Sequence, residues 1–227
     1  MQPPKRLFKY LPSRYAEAFM RRGDLLFRNL AHFRQTEEQG RCDLLEGLHI
    51  DRPDNPITLT LEDGKSFSYD GAAMINQIAV GRLFVFCLST ALQCSLFDEF
   101  KSDVCVEIVD PTEFFRRCER KVNREVRWHE SGLLHGPVEY YAPNRPVVGN
   151  IKNPKCIPFF KHESYAHQQE YRLAASLAGG LRVQTSIILP AYDLQAETSR
   201  LISSHRRVRI GTLEDISVVH RSLHGAA

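Results

Sequence analysis

The run Leu83-Phe84-Val85-Phe86-Cys87-Leu88 constrains the fold more than any other stretch of this chain. Strand side chains point alternately to opposite sides, so a strand that is apolar at every position needs cover on both. The segment reads as a central strand, and the rest of the chain has to furnish a layer against each of its faces. Val104, Val106 and Ile108 alternate with smaller or polar residues and read as a second core strand. With 227 residues, of which 43% are hydrophobic and 25% charged, residues 1–227 read as a single domain with one continuous core.

Arg6 to Leu11 reads as a short strand. Ser13 offers a helix N-cap, Tyr15, Ala18 and Phe19 recur at helical spacing, and Gly23 supplies the stop. Leu25 to Phe27 forms the next strand, and Leu30 with Phe33 opens a helical turn. Ile57 to Leu61 and Ser66 to Tyr69 flank an Asp63-Gly64 turn signal, which predicts a peripheral hairpin. Pro111 to Val126 carries Phe114, Phe115, Cys118 and Val122 on one apolar stripe and reads as a helix. Prolines at 137, 143, 146, 154 and 158 predict an irregular crossing with a short strand at Val138 to Tyr141. Later strands are expected at Glu170 to Ala174, Val183 to Leu189, Val208 to Ile210 and Ile216 to Val219, with a helix between Asp193 and Ser203.

Composition excludes several classes. Six cysteines without a Cys-x-x-Cys pair fit neither a disulfide scaffold nor a zinc ribbon, and reduced thiols are expected. No stretch of about 18 uninterrupted apolar residues occurs, and Met1 to Tyr10 lacks the apolar centre of a secretory signal, so no membrane partner is expected and the default compartment is the cytoplasm. A net charge of +3 does not by itself argue for nucleic acid.

The chemistry concentrates at Gln168-Gln169-Glu170. If these residues open a strand, alternation puts the amide of Gln168 and the carboxylate of Glu170 on one face, where both can serve one reacting centre. The order Phe8-Lys9-Tyr10, then Phe86-Cys87-Leu88-Ser89-Thr90, then Gln168-Gln169-Glu170-Tyr171-Arg172 resembles the three-part layout of the ADP-ribosyltransferase superfamily. There, a polar residue on a first strand, a Ser/Thr-containing strand and a Gln-x-Glu or Glu-x-Glu strand converge on NAD. The chain is more closely similar to an uncharacterised bacterial group with a Tyr-Lys-Tyr-like first strand and a late Glu-Tyr-Arg strand.

This resemblance implies an α+β fold in which two small, mostly antiparallel sheets pack together with flanking helices. It also implies that NAD is a consumed substrate: the nicotinamide–ribose bond breaks, and ADP-ribose passes to a protein or nucleic-acid acceptor or to water, an activity suited to a toxin or phage-defence role. Glu170 would hydrogen-bond the nicotinamide ribose and stabilise the developing positive charge, and Gln168 would orient the acceptor with an amide that both donates and accepts. Lys9 or Tyr10 would stand where the superfamily has an Arg or His, although lysine lacks arginine's planar grip. Ser89 and Thr90 would hold the adjoining loop or meet the ribose. Apart from the resemblance, the position of Phe27 and Phe33 after the first helix suits one of them to stack on nicotinamide, and the glycine-bounded, charged segment Gly40 to Gly47 suits either folding over the site or binding the pyrophosphate through Arg41.

Each residue also has an ordinary reading. Glu170 can be a surface carboxylate on an edge strand paired with Arg172 or Lys161, Tyr10 a half-buried aromatic, and Ser89 with Thr90 a strand end. No Gly-x-Gly-x-x-Gly or phosphate-loop motif occurs, which argues against a Rossmann use of NAD, and the histidine spacing gives no metal site. The rival from another class is a non-catalytic module of a defence or mobile-element system that binds a nucleotide or nucleic acid through a basic surface.

Overall fold

The computed structural model describes residues 4–35, 45–125, 127–128, 132–142, 153–188 and 201–222. The first half contains β1 (Leu7–Leu11), α1 (Ser13–Arg22), β2 (Asp24–Asn29), α2 (Leu30–Gln35), β3 (Leu48–Asp51), β4 (Ile57–Thr60), β5 (Ser66–Tyr69), β6 (Ala73–Ile78) and β7 (Leu83–Ser89). After these come α3 (Cys94–Glu99), β8 (Val104–Ile108), α4 (Pro111–Val122), β9 (Leu134–Pro137), β10 (Glu139–Tyr141) and β11 (Phe160–His162). The last strands are β12 (Glu170–Ser176), β13 (Val183–Ile188), β14 (His205–Arg209) and β15 (Ser217–Arg221). The helix expected between Asp193 and Ser203 falls largely outside the described residues.

The expectation of two small sheets with flanking helices is overturned. One eight-stranded sheet dominates, running β14-β2-β7-β1-β8-β15, with β12 also on β7 and β9 on β12; all its pairings are antiparallel. A three-stranded sheet β13-β6-β3, the lone hairpin β4-β5 and the parallel pair β10-β11 complete the strands. The reason lies in β7 itself. Its apolar side chains bury both faces, and its backbone recruits strands along both edges, which joins what would have been two halves into one sheet.

The two edges of β7 are used differently. On one, β12 pairs along the whole strand, from Glu170↔Ser89 to Ser176↔Leu83. On the other, β1 meets it at Phe8↔Ser89 and β2 meets it at Arg28↔Val85 and Asn29↔Phe84. Between these points β1 leaves to pair with β8, and β2 leaves to pair with β14. The sheet therefore forks opposite Phe86, Cys87 and Leu88.

Helices α1 and α4 cover one face, where Phe19, Phe114, Phe115 and Cys118 pack with Leu25, Phe27, Phe86 and Leu173. On the other face, Leu30 and Ala31 of α2 and Ile78 of the small sheet pack on Leu83, Val85 and Ala174, while Leu96 and Phe97 of α3 pack on Phe8, Tyr10 and Cys105. Ser13 is not the N-cap expected of it: α1 starts at Ser13 with Pro12 as N-cap, and the Ser13 N–H is satisfied from a distance by Asp103 Oδ1 at 2.6 Å. At the other end of α1, Gly23 is left-handed with φ 57°, and a Cβ there would run into the Gly211 carbonyl. Gly23→Ala is expected to cost at least about 1 kcal/mol from the backbone conformation alone, and hence to lower Tm by at least about 2–4 °C in a melt followed by circular dichroism. An unchanged Tm would mean that the turn between α1 and β2 is not built this way.

Candidate functional site

The fork opens into a cleft of about 510 Å³. Its walls come from β1, α1, β2 and α2, with β7 behind and Lys161, Gln168 and Glu170 at one side. The volume lies within the range of small-molecule sites.

The Gln168 to Glu170 stretch reaches the cleft through a kink. Glu163–Gln168 is a 3-10 turn, Gln169 adopts a left-handed φ of 43°, and β12 begins only at Glu170. Gln168 and Glu170 still converge, because both hold the same ammonium: Lys161 Nζ donates to Gln168 Oε1 at 2.9 Å and to Glu170 Oε2 at 3.1 Å. The strand end of β7 pins the kink. Ser89 Oγ donates to the Gln168 carbonyl at 2.8 Å, and the Thr90 N–H and Oγ1 donate to the Gln169 carbonyl at 2.8 and 3.2 Å. A strained non-glycine residue needs such fixed surroundings to persist.

Glu170 is 7% exposed and belongs to a buried ion network. Arg172, two residues on and hence on the same face, donates from Nε to Glu170 Oε1 at 2.8 Å and from Nη2 to Oε2 at 3.1 Å. Its other side grips Glu46 in a second fork, Nη1 to Oε1 at 2.5 Å and Nη2 to Oε2 at 2.9 Å, and Nη1 also reaches the Pro158 carbonyl. The Glu170 N–H donates to the Tyr140 hydroxyl at 2.8 Å. Burial alone would raise the Glu170 carboxyl, but the Arg172 guanidinium and the Lys161 ammonium outweigh it and hold it well below the usual carboxylate range. It is ionised at neutral pH, so it can stabilise a cation and cannot act as a general acid.

The other predicted residues are distributed unequally. Phe8 and Tyr10 share the Glu170 face of the sheet, since Phe8 stands opposite Ser89 and Ser89 opposite Glu170. The Tyr10 hydroxyl, however, is engaged: it donates to the Ala91 carbonyl at 3.0 Å and accepts from the Gln93 N–H at 2.8 Å, and burial pushes its pKa up to about 12. Lys9 points to the opposite face, 4.4 Å above the Phe86 ring, and its Nζ donates across the fork to the Cys87 carbonyl at 2.8 Å. Phe33 lines the cleft. Phe27 is fully buried on the α4 face between Phe86 and Trp128, because odd positions of β2 face the core, and it takes no part in the cleft. Arg41 lies outside the described residues.

The Gln168 amide is committed at both ends, with Nε2 donating to Glu99 Oε1 at 2.6 Å while Oε1 accepts from Lys161. Sequence reasoning did not find Glu46, Glu99 or Tyr140, nor the basic residues Arg28, His205 and Arg207 on the far wall. The described cysteines, 87, 94, 105, 118 and 156, are all free thiols. Among the described residues no cluster of His, Cys, Asp and Glu is arranged to hold a metal ion, and no helix is long and apolar enough to cross a membrane. Comparisons with protein-family models, with curated proteins and with solved structures give no match.

Proposed function

We propose that this chain cleaves the nicotinamide–ribose bond of NAD and passes ADP-ribose to a protein or nucleic-acid acceptor. The observation that carries the reading is a buried, ionised Glu170 bordering a cleft whose other charges are mostly positive, Lys9, Arg28, Lys161 and Arg207 among them, and whose walls include Phe8, Phe33 and Phe86. Aromatic faces and guanidinium groups suit a nucleotide, and a carboxylate that is ionised at neutral pH suits the positive charge that forms on the ribose. In the proposed reaction the bonding pair of the glycosidic bond leaves with nicotinamide, which departs neutral. A ribose hydroxyl takes the place of the Lys161 ammonium on Glu170 Oε2, and the acceptor's lone pair closes on the oxocarbenium carbon while its proton leaves to solvent.

The test is nicotinamide release from NAD by the purified chain, followed by labelled NAD in a lysate to see whether label enters protein or nucleic acid. Release, with label incorporated, is the expected result. No release with or without lysate removes the enzyme reading. One observation favours the second reading, a module that binds without turnover: Glu170 already accepts from Arg172 and Lys161, with the Cys87 thiol also bonded to it. Nucleotide binding with no nicotinamide release would select that module.

A further inference from the structure

We infer that the outer edge of β15 is an interface at which two copies of this chain pair, β15 against β15, about a two-fold axis at Val219. What the cleft binds does not enter into it. β15 closes one end of the eight-stranded sheet and takes β8 on one side. Its register with β8 fixes which of its backbone groups are used. The Val109 N–H donates to the Ile216 carbonyl at 2.9 Å and the Ser222 N–H to the Asp103 carbonyl at 3.1 Å, so the even-numbered residues of this stretch bond inward to β8. The N–H and C=O groups of Ser217, Val219 and Arg221 therefore point away from the sheet, and among the described residues they meet no partner.

Among the described residues the sheet has β9, β14 and β15 as its outer strands, and the first two carry features that keep sheet edges from pairing. β9 is short and holds Gly136 and Pro137. β14 carries His205, Arg206, Arg207 and Arg209, and its one apolar residue, Val208, is buried. β15 has neither device at its centre, where Val218 and Val219 are 47% and 39% exposed on opposite faces. An extended edge with apolar side chains and unpaired backbone groups is a template for another strand.

The strand that fits is a second β15. Its outward groups fall on odd-numbered residues, so an antiparallel copy must set odd against odd, and the register of greatest overlap places Val219 opposite the partner's Val219. Ser217 then faces the partner's Arg221, and each of these pairs exchanges both N–H···O=C bonds. Between them, Val218 faces the partner's His220. No like charges are opposed: Arg221 meets a serine, and His220, whose Nε2 lies 2.6 Å from Glu107 Oε2, meets a valine. Pairing β15 with the basic β14 of another copy would instead set Arg221 among like charges and leave a contact that does not close, whereas the two-fold contact closes at the dimer. A single pair of short strands is small beside the roughly 1,600 Å² of a standard interface, so the dimer is a weak one.

Sedimentation equilibrium of the full chain, at concentrations up to about 1 mM, is the test, and wild type is expected to form dimers within that range. Val219→Lys, which brings two ammonium groups together at the axis, should weaken the dimer at least about tenfold. Val219→Pro should weaken it about tenfold by removing the central outward N–H, which the pairing with β8 does not use. Leu59→Lys makes the same apolar-to-lysine change at an exposed position of the β4-β5 hairpin and should leave the dimer intact. Hydrogen exchange of wild type reads the register without any variant. The amides of Ser217, Val219 and Arg221 should gain protection as concentration rises, while those of Val218 and His220 are protected throughout. A wild type that stays monomeric, a dimer untouched by both Val219 variants, or an equal loss in Leu59→Lys would each overturn the interface. So would protection at Val219 that does not change with concentration. Capture of a different protein by a monomeric wild type, lost in Val219→Lys, would give the edge to that partner and overturn self-pairing.

Discussion

Arg172→Ala is expected to lower Tm by about 6–20 °C. That follows from a loss of about 3–5 kcal/mol when one partner is removed from a buried ion pair, at about 2–4 °C per kcal/mol for a chain of this size. Arg172 is fully buried and donates to two carboxylates, Glu46 and Glu170, and to the Pro158 carbonyl. Deleting it takes the guanidinium from both buried carboxylates, while Lys161 stays bonded to Glu170. A total stability of about 5–15 kcal/mol leaves little margin for that. The compensating variant distinguishes charge from packing: Arg172→Met combined with Glu46→Gln removes one of the two carboxylates that lose the guanidinium and keeps the Glu170–Lys161 pair, and should recover part of the loss. Urea denaturation of the single and double variants measures both. A Tm for Arg172→Ala within a couple of degrees of wild type would mean that the network carries no stability, and the account of why Glu170 stays ionised would go with it.

The same network sets a pH dependence with a definite sign. The folded pKa of Glu170 lies below its unfolded value, so its contribution is fully present above the unfolded pKa of about 4.3 and is lost as pH falls through the folded one. Stability assigned to this group should be flat from neutral pH down to about 5 and decline in the acid range below that. Arg172, raised above its ordinary value by Glu170 and Glu46 against the pull of burial, adds nothing in this window because it is charged in both states.

What could be read from the residues alone divides along the range of the interaction. Strands β7, β8, β12 and the hairpin β4-β5 were legible because a continuous or alternating apolar pattern is a local property. Strands β3 and β6 were not recognised: the His49 and Asn76 they bury have no apolar signature. Two small sheets were expected from the resemblance alone, and nothing local in the sequence says that β7 will accept partners on both edges; that property, set by strands from Phe8 to Ser176, gives one large sheet. The meeting of Gln168 and Glu170 was anticipated from strand alternation, yet it comes about through the left-handed Gln169 and the shared Lys161. Arg172 and Lys161 were visible as ordinary partners of Glu170 on an exposed edge. Burial inverts that picture, since β12 lies between β7 and β9, and Glu46 joins from a turn before β3. The meeting of Arg28, His205 and Arg207 on one wall of the cleft was illegible for the same reason: cross-strand register between such distant segments belongs to topology and leaves no mark in the neighbouring sequence.

Glu170→Gln is expected to reduce nicotinamide release from NAD by about a hundred- to thousandfold, the size of effect seen when a preorganised electrostatic contact to the developing charge is removed. The substitution keeps the shape and one accepting oxygen but removes the negative charge, and it also takes a carboxylate from Arg172, so a loss of activity alone would not separate chemistry from architecture. Glu46→Gln supplies the comparison. It withdraws a carboxylate from the other side of the same guanidinium, at a residue that does not line the cleft, and it should lower stability to a similar degree while retaining most of the turnover. The loss in Glu170→Gln should appear in kcat, because the charge it answers exists only in the transition state. Equal falls in turnover for the two variants would make Glu170 an architectural residue, and a fall seen only in KM would make it a ground-state contact. Either result removes it from the bond-breaking step.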